Sequence, residues 1–242
     1  MLRFMVVCPS CSSKISTRFC PECGAEAEVK RIDRNYIFQE VRAVFLNFER
    51  GFFYTVKELA FRPGNLVRQF LYGDRRKLYK PISFVVISSI LYSLISHYLG
   101  HNIVSVKKND NVSVIFVWIT ENYAYSNLLE ILFLALTLNW FFKKQGYNYY
   151  ENIIALSYFT GFSMLIGIVF VIFDSIVKTP MVDVIFPLIA IAYAIYALAH
   201  FYRQHSFVTY FKLLVAYVSG FLLFALSAVL LGKVLEAFKI SL

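Results

Sequence analysis

Long charge-free stretches dominate the C-terminal two thirds of the chain. Each contains 19 to 22 residues without Asp, Glu, Lys or Arg: 82–100, 152–173, 184–202 and 213–232. A helix of about 20 apolar residues crosses the roughly 30 Å of hydrocarbon in a bilayer. A fifth stretch, 124–142, is free of charged residues except for Glu130 near its start. The pattern predicts an all-α membrane protein, with a bundle of about five transmembrane helices in a domain spanning 81–242.

A different pattern covers residues 29–80. Apolar side chains recur there at steps of three and four, which is typical of amphipathic helices. Gly51, Pro63-Gly64 and Gly73 divide the pattern into short helices, the first over 36–48, and none of these is long enough to span. Such juxtamembrane helices lie either in the membrane interface or on the spans as a cytosolic cap, and the sequence leaves both arrangements open.

Basic residues concentrate just before the first predicted span. Residues 62–80 contain six basic residues and only one acid, Asp74. We expect the basic residues of this segment to lie at the anionic lipid headgroups: Arg62, Arg68, Arg75, Arg76, Lys77 and Lys80. The same cluster is a topological signal, because Lys and Arg accumulate on the cytosolic side. With five spans and a cytosolic N-terminus, 19 Lys and Arg lie inside and 5 outside. The sequence therefore predicts an external C-terminus.

All four cysteines fall in the first tenth of the chain, in two Cys-x-x-Cys pairs that are separated by eight residues: Cys8, Cys11, Cys20 and Cys23. Two such turns can close a tetrahedral Zn²⁺ site with no position left for water. A disulfide pair, a redox motif and an iron–sulfur site are the alternatives, but disulfides need an oxidising compartment and no cleavable signal peptide precedes Cys8. We predict a structural zinc ribbon over 1–28.

The composition agrees with a membrane protein. The chain has 242 residues, of which 59% are hydrophobic and 16% charged, with a net charge of +9. Soluble domains carry about 25% charged residues, so an ordinary soluble enzyme, a disordered regulator and a fibrous repeat are all disfavoured. We expect the positive charge to meet the lipid bilayer and its anionic headgroups, and expect no nucleic acid partner.

Motifs of catalysis are not found in the sequence. It contains no Gly-x-Ser-x-Gly, no His-Glu-x-x-His and no phosphate-binding glycine loop, which favours a non-enzymatic protein. Glu130 is the candidate intramembrane polar site, because an acid inside a span needs a partner or water. If the span begins later, however, Glu130 lies at the interface instead.

Particular motifs resemble the bacterial membrane family catalogued as domain of unknown function 3667. They are the CPSC and FCPECG knuckles, Arg50-Gly51-Phe52, Thr55, Arg62-Pro63-Gly64, Gly73-Asp74-Arg75-Arg76, Lys80-Pro81 and Tyr147-Asn148-Tyr149-Tyr150-Glu151-Asn152. The resemblance implies a multi-pass protein of the bacterial cytoplasmic membrane with no established activity. The layout of five spans after a cytosolic segment is also similar to Yip1-type proteins, by analogy only.

Three hypotheses of function follow. The first is a docking or membrane-organising protein, whose ribbon and basic segment meet a protein partner and the membrane. The second is a transporter, channel or lipid translocator that uses Glu130 and the small residues Gly161 and Gly167. The third is an enzyme acting on lipid, for which only the basic surface argues.

Overall fold

The computed structural model describes residues 6–8, 11, 13–15, 20–24, 51–100, 115, 117–119, 122–177 and 182–237. The amphipathic helix predicted over 36–48 lies outside these residues. The N-terminal part contains two short antiparallel strands, β1 (Val6–Val7) and β2 (Lys14–Ile15), in which Val6 pairs with Ile15.

The rest of the described chain is helical. Its helices are α1 (Phe52–Phe61), α2 (Pro63–Tyr72), α3 (Pro81–Tyr98), α4 (Tyr123–Phe141), α5 (Tyr149–Val177), α6 (Val182–Tyr202) and α7 (Phe207–Ala237). Proline occupies the first position of both α2 and α3, where its missing N–H costs no intrahelical hydrogen bond. Pro63 therefore ends one helix and begins the next.

Helix length and composition support the membrane prediction. Four stretches are long and apolar enough to cross a bilayer: Pro81–Tyr98, Tyr149–Val177, Ile185–Tyr202 and Phe207–Val234. The fifth apolar stretch, Tyr125–Phe141, is shorter, and at 1.5 Å per residue it reaches about 25 Å. The predicted fold class, an all-α membrane bundle with a small cysteine ribbon, is confirmed.

Helix α5 lies at the centre of the bundle. It packs against α3, α4 and α6, while α7 packs mainly against α4. Glycines allow two of these contacts to be close. A Cβ on Gly161 would lie 2.7 Å from the Phe84 ring, and one on Gly220 would lie 2.9 Å from the Cα of Leu134. Small residues of this kind let helix backbones approach each other in a membrane.

Helices α1 and α2 and the loop that follows them pack on one end of the bundle. We call residues 52–80 the cap, and the end of the bundle that it covers the cap end. The inner face of α2 is completely buried against α5 and α6: Leu66, Val67, Phe70 and Leu71. On α1, by contrast, Phe53 and Phe61 remain 86% and 74% exposed. The structure thus shows α2 packed on the spans, whereas α1 keeps an outward apolar face.

A candidate metal centre held by a buried helical cap

The four cysteine sulfur atoms come together in the N-terminal ribbon. The strands β1 and β2 pair antiparallel, with Val7 opposite Lys14, and Cys8 directly follows β1. The Sγ atoms of Cys8 and Cys23 are 3.5 Å apart, as are those of Cys11 and Cys20. All four sulfur atoms lie within 4.8 Å of one another, and the thiols are free.

This spacing fits a tetrahedral metal site. Metal–sulfur bonds of about 2.3 Å to one central ion put neighbouring sulfur atoms about 3.8 Å apart. The observed 3.5 Å distances are close to this value and far from the roughly 2.05 Å of a disulfide. Cys8 and Cys20 are buried, whereas Cys11 is exposed. The group can therefore hold one metal ion with four protein ligands, which leaves no open coordination position for substrate.

Hydrogen bonds favour the thiolate form of one member of this group, Cys20. The hydroxyl of Ser13 lies 3.1 Å from the Sγ of Cys20 and 3.0 Å from that of Cys11. With the backbone N–H groups of Cys23 and Glu22, the Ser13 hydroxyl lowers the pKa of Cys20 to about 6. Metal ligands must be deprotonated, so these donors prepare Cys20 to bind a metal ion. The sequence spacing alone did not identify Ser13.

An arginine of the cap ties the ribbon to the bundle. The Nη1 atom of Arg76 donates a 2.7 Å hydrogen bond to the carbonyl of Cys23, and its Nε lies 3.2 Å from Asp74 Oδ1. Asp74 foremost, and then Cys23, raise the pKa of Arg76. Arg76 lies in the loop between α2 and α3, so the four-cysteine group connects through one residue to the loop that leads into the first candidate span.

Two of the basic residues that were predicted to lie at the headgroups form hydrogen bonds within the protein. Arg68 donates from Nη1 to the carbonyls of His200 and Phe201 at the end of α6, the second at 2.9 Å. Arg75 donates to the carbonyls of Phe70 at 2.7 Å and Leu71 at 3.1 Å. The last carbonyls of a helix lack intrahelical partners, so both arginines cap helix ends. Burial, and then the charge of Arg203, lowers the pKa of Arg68.

The remaining members of the basic group point outward. Arg62 and Lys77 are exposed, Lys80 is half-buried, and Arg76 is exposed apart from its bonds to Asp74 and the ribbon. Contact of this group with lipid headgroups stays a prediction.

Several residues that carried the family resemblance hold the cap together and connect it to the spans. The Oγ1 of Thr55 accepts a 2.9 Å hydrogen bond from the N–H of Tyr79, and the Tyr158 hydroxyl donates to the Tyr79 carbonyl at 2.5 Å. Gly64 lies so close to α6 that a Cβ there would be 2.4 Å from the backbone carbon of His200. These motifs therefore encode packing between the cap and the spans.

The motif from Tyr147 to Asn152 has the same role on α5. The N–H of Glu151 donates to Asn148 Oδ1 at 2.8 Å, and the N–H of Asn148 donates to Glu151 Oε2 at 2.7 Å. This reciprocal pair is a capping box at the start of α5. Asn152 Oδ1 accepts a 2.7 Å bond from the Tyr202 hydroxyl, and the Tyr147 ring lies 4.2 Å from that of Phe201. The motif therefore joins α5 to the end of α6.

Glu130 lies apart from this network. It is half-buried on α4. One turn before it, Asn127 is buried and donates a 2.8 Å hydrogen bond to Ser89 of α3. Gly161 and Gly167 were proposed to act together with Glu130. Aromatic rings occupy the space beside both glycines: the ring of Phe84 beside Gly161, and the rings of Phe186 and Tyr92 beside Gly167.

A cleft of about 540 Å³ opens between the helices near Glu130. Its lining is entirely apolar and aromatic: Ile82, Trp118, Tyr125, Leu128, Leu129, Ile131, Leu132 and Ile153. Glu130 does not line this cleft. The cleft therefore offers no polar path to the carboxylate.

Comparison with known proteins finds one similarity, which falls on the cap. The family model described as "Protein of unknown function (DUF3667)" matches residues 49–93, which include the cap and the first 13 residues of α3. The resemblance predicted from the motifs is confirmed over these residues. No curated protein matches the chain, and neither does any solved structure. The chain thus combines four helices long and apolar enough to cross a membrane with a match to the family model over the cap and the start of α3.

Proposed function

We propose that the protein is a non-enzymatic docking protein of the bacterial cytoplasmic membrane. Its ribbon holds a structural Zn²⁺ and presents a rigid surface to a protein partner. The observation that carries the proposal is the bond from Arg76 to the Cys23 carbonyl, because it connects a four-ligand centre to a buried cap. A closed ligand set suits structure rather than catalysis. The remaining exposed basic residues of the cap meet anionic headgroups.

Zinc itself is tested by metal analysis of the purified chain. We expect one zinc ion per chain, and loss of at least nine tenths of it in Cys20→Ser. Lys14→Gln is the matched control, since Lys14 is an exposed residue of the same ribbon and is not a candidate ligand. A wild-type chain with iron, or with oxidised thiols and no metal, would contradict the zinc ribbon.

Docking is tested by site-specific crosslinking in cells. A photoreactive residue at Val7, which is 59% exposed on β1, should capture one protein that mass spectrometry identifies reproducibly. The same probe in Cys20→Ser should lose that product, while a probe at Phe53 of the cap should not form it. If Val7 yields the same products with and without the metal ligands, the ribbon is not a docking module.

The orientation is part of the proposal. The charge distribution places the N-terminus in the cytosol and, with five spans, the C-terminus outside. A phosphatase fused to the C-terminus should be active, since the enzyme folds only outside the cytosol. An inactive fusion beside an active cytosolic reporter would require an even number of spans.

Transport is the second candidate function, and one observation favours it. Glu130 is a half-buried acid within a candidate span, one turn from the buried hydrogen bond between Asn127 and Ser89. Acids at such positions often belong to ion or proton pathways. Ion or lipid flux in proteoliposomes that Glu130→Gln abolishes would support transport. Equal flux in wild type and Glu130→Gln would leave docking as the better hypothesis.

A further inference from the structure

Four basic side chains converge at the turn between α6 and α7. Arg68 reaches from α2 to the carbonyls of His200 and Phe201, and Arg203 follows at the first position after α6. The imidazole rings of His200 and His205 have their centroids 4.6 Å apart. We call Arg68, Arg203, His200 and His205 the turn cluster.

The charge of the turn cluster exceeds what the fold requires. The C-terminus of a helix carries about half a negative charge, which one guanidinium already balances. Arg68 and Arg203 together carry two positive charges, and they repel each other. Within the described part of the chain, Arg203 has no ion-pair partner. The nearby carboxylate of Glu151 accepts hydrogen bonds from the N–H of Asn148 and the hydroxyl of Tyr72.

Arg203 also has an unfavourable backbone conformation. Its φ angle is +55°, and the N–H of the next residue, Gln204, bonds to the carbonyl of Ala199 at 3.1 Å to close the helix. Glycine is the usual residue at this position, because a side chain is strained at positive φ. Charge repulsion and backbone strain therefore both disfavour an arginine at position 203. A bound anion would offset the repulsion.

The surroundings of the turn cluster are apolar and exposed. Phe207, Val208 and Phe211 at the start of α7 are 86%, 71% and 61% exposed, and Tyr196 of α6 is 41% exposed. In a membrane-spanning bundle, this surface adjoins lipid chains. A ligand that carries a phosphate and acyl chains would match both the positive charge of the turn cluster and the exposed apolar surface beside it.

We propose that the turn cluster binds the phosphate of an anionic phospholipid, whose acyl chains lie along the exposed face at the start of α7. The proposal rests on the membrane placement in the proposed function, but not on the ribbon or its partner. It gives the chain a defined lipid site in addition to general attraction between basic residues and headgroups.

Native mass spectrometry of the full chain, released from detergent with phosphatidylglycerol or phosphatidylcholine present, tests the site. The decisive variant is Arg203→Gly. Glycine suits φ +55°, so this variant removes the charge while keeping or improving the fold. We expect wild type to retain phosphatidylglycerol in preference to phosphatidylcholine, and Arg203→Gly to bind phosphatidylglycerol about fivefold more weakly.

Two control variants separate a site from general charge. Arg203→Lys keeps the charge and should retain most of the binding. Lys144→Gln removes one exposed positive charge at the same end of the bundle and should leave binding unchanged. Equal weakening by Lys144→Gln and Arg203→Gly, or equal retention of the two lipids by wild type, would overturn the site.

Two further arms identify the source of the phosphate and separate the proposals. Inorganic phosphate at millimolar concentration should not displace the lipid, and full displacement would overturn the lipid assignment in favour of a soluble phosphate compound. Cys20→Ser should lose zinc yet keep phosphatidylglycerol binding. Failure of the docking proposal would thus appear in the crosslinking experiment alone, and failure of the lipid site in the Arg203→Gly experiment alone.

Discussion

The two ends of the bundle differ in packing although both are apolar. At the cap end, every residue of α5 from Glu151 to Phe159 is buried. Toward the far end of the same helix, Val169 is 65% and Ile176 is 76% exposed. Helix α7 does not follow this trend. Phe207 at its start is already 86% exposed, and farther along the exposure depends on the helix face, with 0% at Leu213 and 60% at Leu222.

The difference separates the part of the bundle where helices are surrounded by other protein elements from the part where lipid would surround them. At the cap end, buried polar groups such as Asn152 and Glu151 have hydrogen-bond partners from neighbouring elements. Exposed apolar side chains at the far end cost little in a bilayer, because lipid tails are as apolar as leucine. The cap end is therefore the specifically folded part, and the far end is a lipid-facing extension of it.

The largest expected effect on the unfolding free energy comes from adding a methyl group where α2 touches α6. Gly64→Ala would place a Cβ 2.4 Å from backbone of His200, which cannot move as a flexible side chain can. We expect a loss of about 3 kcal/mol in unfolding free energy, measured by denaturation in mixed micelles. At Gly100, with φ +67° and open space around it, Ala should cost about 1 kcal/mol. Similar losses at both positions would remove the distinction between the ends.

The next effect compares two leucines on one helix. Leu213→Ala empties a fully buried position, and we expect it to cost about 2 kcal/mol because the cavity cannot be filled by lipid. Leu222→Ala, at a 60% exposed position, should change the unfolding free energy by less than about 0.5 kcal/mol. If Leu222→Ala is the more harmful change, another protein surface covers the outer face of α7.

The capping box gives a smaller effect. Glu151→Ala leaves the N–H of Asn148 without its carboxylate acceptor, and we expect a loss of about 1 kcal/mol. Glu151→Gln can still accept this hydrogen bond and should lose less. The same denaturation assay measures both variants. Equal losses would mean that the charge of Glu151, rather than its hydrogen bond, stabilises the cap end.

The smallest effect on bundle stability is expected from Arg76→Ala. Its contacts with Asp74 and Cys23 are exposed, so the unfolding free energy should change by less than about 0.5 kcal/mol. Zinc release to a chelator should nevertheless become severalfold faster, because the ribbon loses its bond to the cap. Lys77→Ala, a change at the exposed neighbour, should leave the release rate unaltered.

Part of this arrangement could be predicted from residue patterns. The apolar runs predicted helices, the spacing of Cys8, Cys11, Cys20 and Cys23 predicted a metal-binding group, and the motifs between Asn47 and Phe84 predicted the family. The basic residues Arg68 and Arg75 were predicted from their charge to face lipid, but nothing in the pattern indicated that their guanidinium groups also cap helix ends.

Local chemistry therefore determined the helices, the membrane environment and the metal ligands, because hydropathy and ligand spacing act over a few residues. Only the tertiary structure decided that Gly64 touches α6, that Arg76 holds the ribbon, and that Arg203 joins Arg68 and two histidines at one turn. These contacts join residues up to 137 positions apart in the chain, as Gly64 and Phe201 are, and no local pattern carries that information.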